Sequence, residues 1–353
     1  MSFPRLSCPE CEGGLSDRES LQRRELLKTR REFLKTAIGG VAAVSAGGIL
    51  LPRGVSAAPT MQSTSETLAA TLYKSLSEEQ RGAICFPFDH PLRAKVDNNW
   101  HIVKKSVGEF LNKDQQQMVR DIFTGLHSPE YIERVMKQVE QDNEDDGGFG
   151  GGAVALFGEP GSGKFEFVFT GRHVTRRCDG DSVNGAAFGG PIFYGHAAQG
   201  FNEKPDHPGN IYWYQALRAN HVFQMLDGRQ RELALLGTSR DEQATDTVKV
   251  AGKDEGLAGI AMTDLSADQR DEVRKVMSDV LAPFRKEDAD KALALIDGPD
   301  GKGFDHLHLS FYKNQDIGND GVWDVWQIEG PTMVWYFRGK PHVHVWVNIR
   351  ANA

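Results

Sequence analysis

The sequence predicts an α+β protein, with a mostly antiparallel sheet and clustered amphipathic helices. Three observations carry that expectation. A helix-start pattern of Leu, a polar residue, two further residues and Gln occurs four times, at Leu76, Leu111, Leu226 and Leu265. The polar residue caps the helix and the Gln three positions later reaches back to it. Apolar residues then recur at helical spacing: Val273, Val276, Met277, Val280, Leu281 and Phe284 form one stripe, and Met118, Val119, Ile122, Phe123 and Leu126 another. Two other regions alternate with period two, as half-buried strands do. The predicted plan is a single domain over 58–353, helical over 61–140, strand-rich over 153–195, helical over 211–297 and strand-rich over 304–350. The four helix starts are unevenly spaced, so they read as a reused cap and not as a solenoid period.

Residues 1–57 read as a leader. "TRREFLK" (Thr29 to Lys35) precedes the apolar, Gly/Ala-rich "TAIGGVAAVSAGGILL", and "VSA" ends at Ala57. An arginine pair, a short apolar run and small residues, in that order, match a twin-arginine export signal cut after Ala57. The run is shorter than the roughly 20 residues that span a bilayer. The expected location is therefore periplasmic or secreted, with the twin-arginine translocase as a partner during export and no stable membrane anchor. The leader holds 9 Lys/Arg and 6 Asp/Glu of the chain's 41 and 49, so its removal leaves 296 residues with a formal charge of −11. So acidic a chain is not expected to bind nucleic acid, which calls for a basic patch.

Four cysteines reduce to two after cleavage, because Cys8 and Cys11 lie in the leader. Cys85 and Cys178 are either a disulfide suited to an oxidising compartment or two buried small hydrophobes.

"EQDNEDDGGFGGG" carries Asp142, Glu144, Asp146 and Gly147 at the opening spacing of a calcium loop. Its twelfth position is Ala153, where a bidentate carboxylate is required, so the stretch reads as a solvated loop. "GEPGSGKF" (158–165) fits seven positions of a phosphate loop and fails at the eighth, Phe165. The residues after it alternate as a strand, not a helix, so it reads as a hairpin turn and no nucleotide is expected. "DIGNDGVWD" (316–324) is likewise a turn. "NIYWYQALRANHVFQML" reads as a helix, with His221 at the edge of the core.

All eleven histidines follow Ala57, and two pairs stand out. "KPHVHVWVNI" sets His342, His344, Trp346 and Asn348 opposite Val343, Val345, Val347 and Ile349 on a strand. "FDHLHLSFY" similarly sets His306 and His308 opposite Leu307, Leu309 and Phe311. Residues i and i+2 share a strand face, so each pair offers two imidazoles that can chelate if further ligands arrive. His173 and His196 are the best additions, and His207 a weaker one. Unbroken alternation places His173 on the Phe165/Phe167/Phe169 face, and a bulge at Gly171 would reverse that. The candidate metal ligands are thus His173, His196, His308, His342 and His344. Such a nitrogen-rich set suits a divalent transition metal: zinc, copper or iron. Arg172 and Arg338 are candidates for an anionic substrate group. The reading that follows is a metal-dependent hydrolase or oxidoreductase. The rival is a binding module whose aromatic residues, Trp323, Trp326, Trp335, Tyr336 and Phe337, grip a glycan or small molecule. No G-x-S-x-G or H-E-x-x-H occurs.

At "FTGRHVTRRCDGDSVNGAAFGGPIFYGH" and "GNDGVWDVWQIEGPTMVWYFRGKPHVHVWVNI" the chain resembles the domain-of-unknown-function 3500 family of bacteria, over about Ser65 to Ile349. The resemblance implies exported proteins with a twin-arginine or similar leader. It carries no activity and no ligand set.

Overall fold

Each of the four Leu-polar-x-x-Gln stretches starts a helix, and each forms a full capping box. In the computed structural model, which describes residues 58–196, 211–298, 303–313, 322–339 and 342–352, Ser77 caps a helix at Gln80, Asn112 at Gln115, Asp227 at Gln230 and Ser266 at Gln269. Two orphan backbone N–H groups are satisfied reciprocally at each start. The leader, His207 and residues 316–321 lie outside the described residues.

The caps come in two matched pairs. The first half contains helices α1 (Thr64–Ser75), α2 (Glu78–Ile84), α3 (Val107–Phe110), α4 (Lys113–Thr124) and α5 (Pro129–Asp142). Its strands are β1 (Cys85–Phe86), β2 (Ala153–Gly158), β3 (Phe165–Gly171), β4 (Val174–Cys178) and β5 (Ile192–His196). The second half repeats the series with α6 (Trp213–Met225), α7 (Gly228–Ala234), β6 (Leu235–Leu236), α8 (Ala267–Leu281) and α9 (Lys286–Asp297). It ends in β8 (His308–Tyr312), β9 (Val325–Gly330), β10 (Met333–Arg338) and β11 (Val343–Ile349), with the short β7 (Ile260–Ala261) added against β8. In the first half Gln80 Nε2 donates to Gln115 Oε1 at 2.9 Å, and Gln115 Nε2 donates back to Gln80 Oε1 at 3.0 Å. In the second half Gln230 and Gln269 exchange the same two bonds at 2.9 and 2.7 Å.

The strand order is β1-β2-β3-β4-β5-β11-β10-β9-β8-β6, which reads the same from either end once the halves are exchanged. The halves are therefore related by an approximate two-fold axis at the antiparallel β5–β11 pair. The helical layer obeys the same axis. Ser128 N donates to Pro283 O and Arg285 N to Leu126 O, both at 3.0 Å, about the facing pair His127 and Phe284.

The sheet is mixed, which corrects the expectation of a mostly antiparallel one. β1 runs parallel to β2, and β6 parallel to β8, while antiparallel ladders join β2 through β5, β5 to β11, and β11 back to β8. Parallel neighbours need a long crossover, and helices supply it: α3 to α5 lie between β1 and β2, α8 and α9 between β6 and β8. Strands of two residues carry no alternation, so periodicity is blind to them.

All the larger helices pack on one face of the sheet. That core takes Phe165, Phe167 and Phe169 from β3, Trp335 from β10 and Val343, Val345, Val347 and Ile349 from β11. The other face is covered by irregular chain: Trp100 and Ile102 over β2 and β3, Val96 and Val248 over Phe193, Tyr336 and Trp346. Trp326, Trp335, Tyr336 and Phe337 are buried in these layers. "GEPGSGKF" closes the β2–β3 hairpin, with Gly158 opposite Phe165. Cys85 and Cys178 are both free thiols, on β1 and β4, with two strands between them. Among the described residues no helix is long and apolar enough to cross a membrane.

Candidate metal centre

Beside the two-fold axis, at one end of the β5–β11 pair, three imidazoles meet under the irregular layer. His342 precedes β11 and His344 lies within it, on the face opposite Val343 and Val345, as the alternation of "HVHVWVNI" requires. His173 arrives by a different route from the expected bulge. Gly171 pairs with Val174, so Arg172 and His173 form a two-residue turn between β3 and β4. His173 takes φ 57°, a left-handed conformation that side-chain-bearing residues adopt at a cost. Its surroundings hold it there. His173 N donates to Asn98 O at 2.9 Å, Gly195 N donates to His173 O at 3.2 Å, and Asn143 Oδ1 accepts from Arg172 N at 3.0 Å. Gly195 is required for the approach, because a Cβ there would strike the Val343 carbonyl and lie 3.3 Å from the His173 ring.

The three side chains are buried: His173 is 2 % exposed, His342 7 % and His344 0 %. One ligand atom from each lies within 4.8 Å of the others, so the three can hold a metal ion. His342 Nε2 stands 3.2 Å from His173 Nε2 and 2.8 Å from His344 Nε2. Tetrahedral coordination with bonds of about 2.05 Å separates ligand nitrogens by about 3.3 Å, so the rings are already near the required spacing.

The outer nitrogens of two rings are tied to carboxylates. His173 Nδ1 is 3.0 Å from Asp142 Oδ2, and His344 Nδ1 is 2.7 Å from Glu242 Oε2. Arg338 Nε lies 2.8 Å from the other Glu242 oxygen, and an Arg338 Nη meets the same His344 Nδ1. Gln138 Nε2 donates to Asp142 at 2.6 Å. An ionised carboxylate only accepts, so Nδ1 of His173 carries the proton and its Nε2 presents a lone pair, whereas His344 Nδ1 faces both the Glu242 carboxyl and the donor-only Arg338 guanidinium. His342 Nε2 stands within reach of both other Nε2 atoms. A cation at the centre satisfies all three.

The electrostatics favour neutral rings at His342 and His344. Burial comes first, then the like-signed neighbours His344, His173, Arg338 and Arg172, and together they hold His342 well below 6.5. Burial and then Arg338 do the same to His344. Burial pushes the Asp142 carboxyl up, but His173, with His196 and Gln138, acts against this and the net shift is downward. Glu242 is raised by burial, with Arg338 opposing.

Of the five histidines expected to gather, three do. His196 ends β5 opposite Val343, buried at 2 %, and reaches the group through its effect on Asp142. His308 does not join them: it lies on β8, three strands from β11, with Nδ1 3.4 Å from Gly259 O. Its companion His306 ends a 3-10 turn (Gly303–His306) and pairs with Asp254 at 2.8 Å, so the two do not share a strand face. His221 is half-exposed and meets Glu272 at 2.9 Å. Sequence reasoning missed Glu242, which nothing local signals. It also read Asp142 as part of a solvated acidic loop, whereas α5 ends there and buries Asp142 and Asn143 at 4 % and 2 %. The overlooked signal was Gln138 and Asp142 at i,i+4 on the buried stripe of that helix.

A family model described as "Protein of unknown function (DUF3500)" matches residues 59–347, and the chain belongs to that family. No curated protein and no solved structure matches it.

Proposed function

We propose that this family member is an exported metal-dependent hydrolase whose ion is held by His173, His342 and His344. One observation carries the reading: three buried imidazoles converge about His342 Nε2 while carboxylates brace the outer nitrogens of the other two rings. Buttressing of a ligand histidine by a carboxylate is the usual outer shell of a metal site. Three neutral ligands leave the ion its full double charge and an open position, so it polarises a substrate oxygen or acidifies water. His342, the most exposed of the three, marks the open side. Asp142 and Glu242 orient the rings. Arg338 opposes the upward push that burial exerts on Glu242. The export expected from the leader is consistent with an ion inserted before translocation. The aromatic residues of β9 and β10 favour no glycan platform, because they are spent on the core.

Elemental analysis of the mature chain, exported through its own leader, tests this beside a His342→Ala/His344→Ala variant. Near-stoichiometric zinc in the first, lost from a still-folded second, is expected. Stoichiometric copper or iron would move the reading to redox chemistry. Absence of any metal in both would end it.

A further inference from the structure

Charge is out of balance around the three histidines. Glu242 is matched by Arg338, and Asp142 is engaged by His173 and Gln138. Arg172 has no such match: among the described residues it forms no ion pair, and its Nε is buried with no hydrogen-bond partner. Its position is nevertheless fixed. It precedes His173 in the two-residue turn, and its backbone N–H is held by Asn143 Oδ1 at 3.0 Å while Asn143 Nδ2 donates to its carbonyl at 3.4 Å. It stands next to His173 in the turn, and its charge adds to the positive surroundings of His342 and His344. An ion held by neutral imidazoles adds further positive charge to the same place. Arg172 itself is partly exposed, so its terminal nitrogens are open to a ligand while its buried Nε–H lacks a partner.

Resting on the metal reading above, we propose that Arg172 is the anion-binding residue of this site and that the substrate carries an oxyanion, a carboxylate or a phosphate ester, beside the group the metal acts on. The Nε and Nη edge of a guanidinium matches two oxygens of such a group. The turn gives the specificity its geometry, since adjacent residues hold the ion and the anion.

The test uses the full mature chain loaded with cobalt(II), whose visible spectrum reports its ligands. Acetate and inorganic phosphate are titrated separately at constant ionic strength, with perchlorate as the control. Saturable perturbation by one or both is expected, and whichever binds more tightly names the oxyanion. Arg172→Gln should keep cobalt and weaken that anion by about tenfold or more, as loss of a charged pair does. Arg172→Lys, which keeps the charge without the fork, should fall between and decides the matter if the Gln variant does not fold. Failure of the wild-type chain to take up cobalt would overturn the metal reading itself. Uptake with no anion effect, or an effect unchanged in both variants, would overturn the role of Arg172 and leave the metal standing.

Discussion

His173 and His342 are 169 positions apart and belong to opposite halves of the chain, yet their Nε2 atoms stand 3.2 Å from each other. Neither half owns the centre. The first contributes His173 with Asp142, the second His342 and His344 with Glu242 and Arg338.

On the proposed metal reading Asp142 orients His173, and its removal should separate metal affinity from fold. Asp142→Ala frees the His173 ring to rotate and to lose its proton placement. We expect zinc affinity to drop about 10–100-fold, measured by chelator competition. Asp142→Asn, which keeps an acceptor without the charge, should lose less. Equal affinity in all three chains would show that the carboxylate does not orient the ring.

His127 should make stability pH-dependent. It is buried, its Nδ1 donates to Phe123 O at 2.8 Å, and its Nε2 accepts from Arg176 at 3.0 Å. Burial first, then Arg176, holds it well below 6.5. A depressed histidine contributes stability that is fully present above its unfolded value of about 6.5 and is lost as pH falls below it. Urea midpoints between pH 8 and 5 should therefore decline on the acid side. In His127→Phe, which copies its two-fold mate Phe284, the decline should be shallower by about one proton's worth. An unchanged slope would mean that His127 is already charged in the folded chain.

The two glutamine pairs offer a matched experiment. Gln80→Ala and Gln230→Ala each remove a capping partner and leave Gln115 or Gln269, respectively, without its amide mate. Each should cost about 1–3 kcal/mol, and the costs should agree, because the bonds lost are the same. The pairs share no partner, so the double variant should be additive within about 0.5 kcal/mol. Chemical denaturation measures both, and a large difference between the single variants would argue against equivalent halves.

Much of this architecture was legible. The four capping boxes and the two faces of β11 could be read directly, because both depend on contacts within a few residues of the chain. His342 and His344 followed from alternation alone. The parallel edges were hidden because β1 and β6 are two residues long. His308 misled because β8 lies three strands from β11 and its companion His306 sits in a 3-10 turn facing Asp254. Glu242 was invisible for a different reason. Its partners are His344 and Arg338, about a hundred positions away, and a lone Glu in "SRDEQ" carries no trace of them. The repeat itself was in view as four similar helix starts. Unequal insertions between the copies hid that they are two pairs.

The two-fold arrangement also says something about descent. By strand position His173 corresponds to Thr332, and counting back from β5 and β11 sets His344 against Gly189 and His342 against Ala187. A forebear made of two identical copies would have carried these histidines at both ends of the central strand pair or at neither. The present chain carries them at one. If the halves descend from one duplicated unit, the histidine cluster is either an addition at one end or the survivor of a twin.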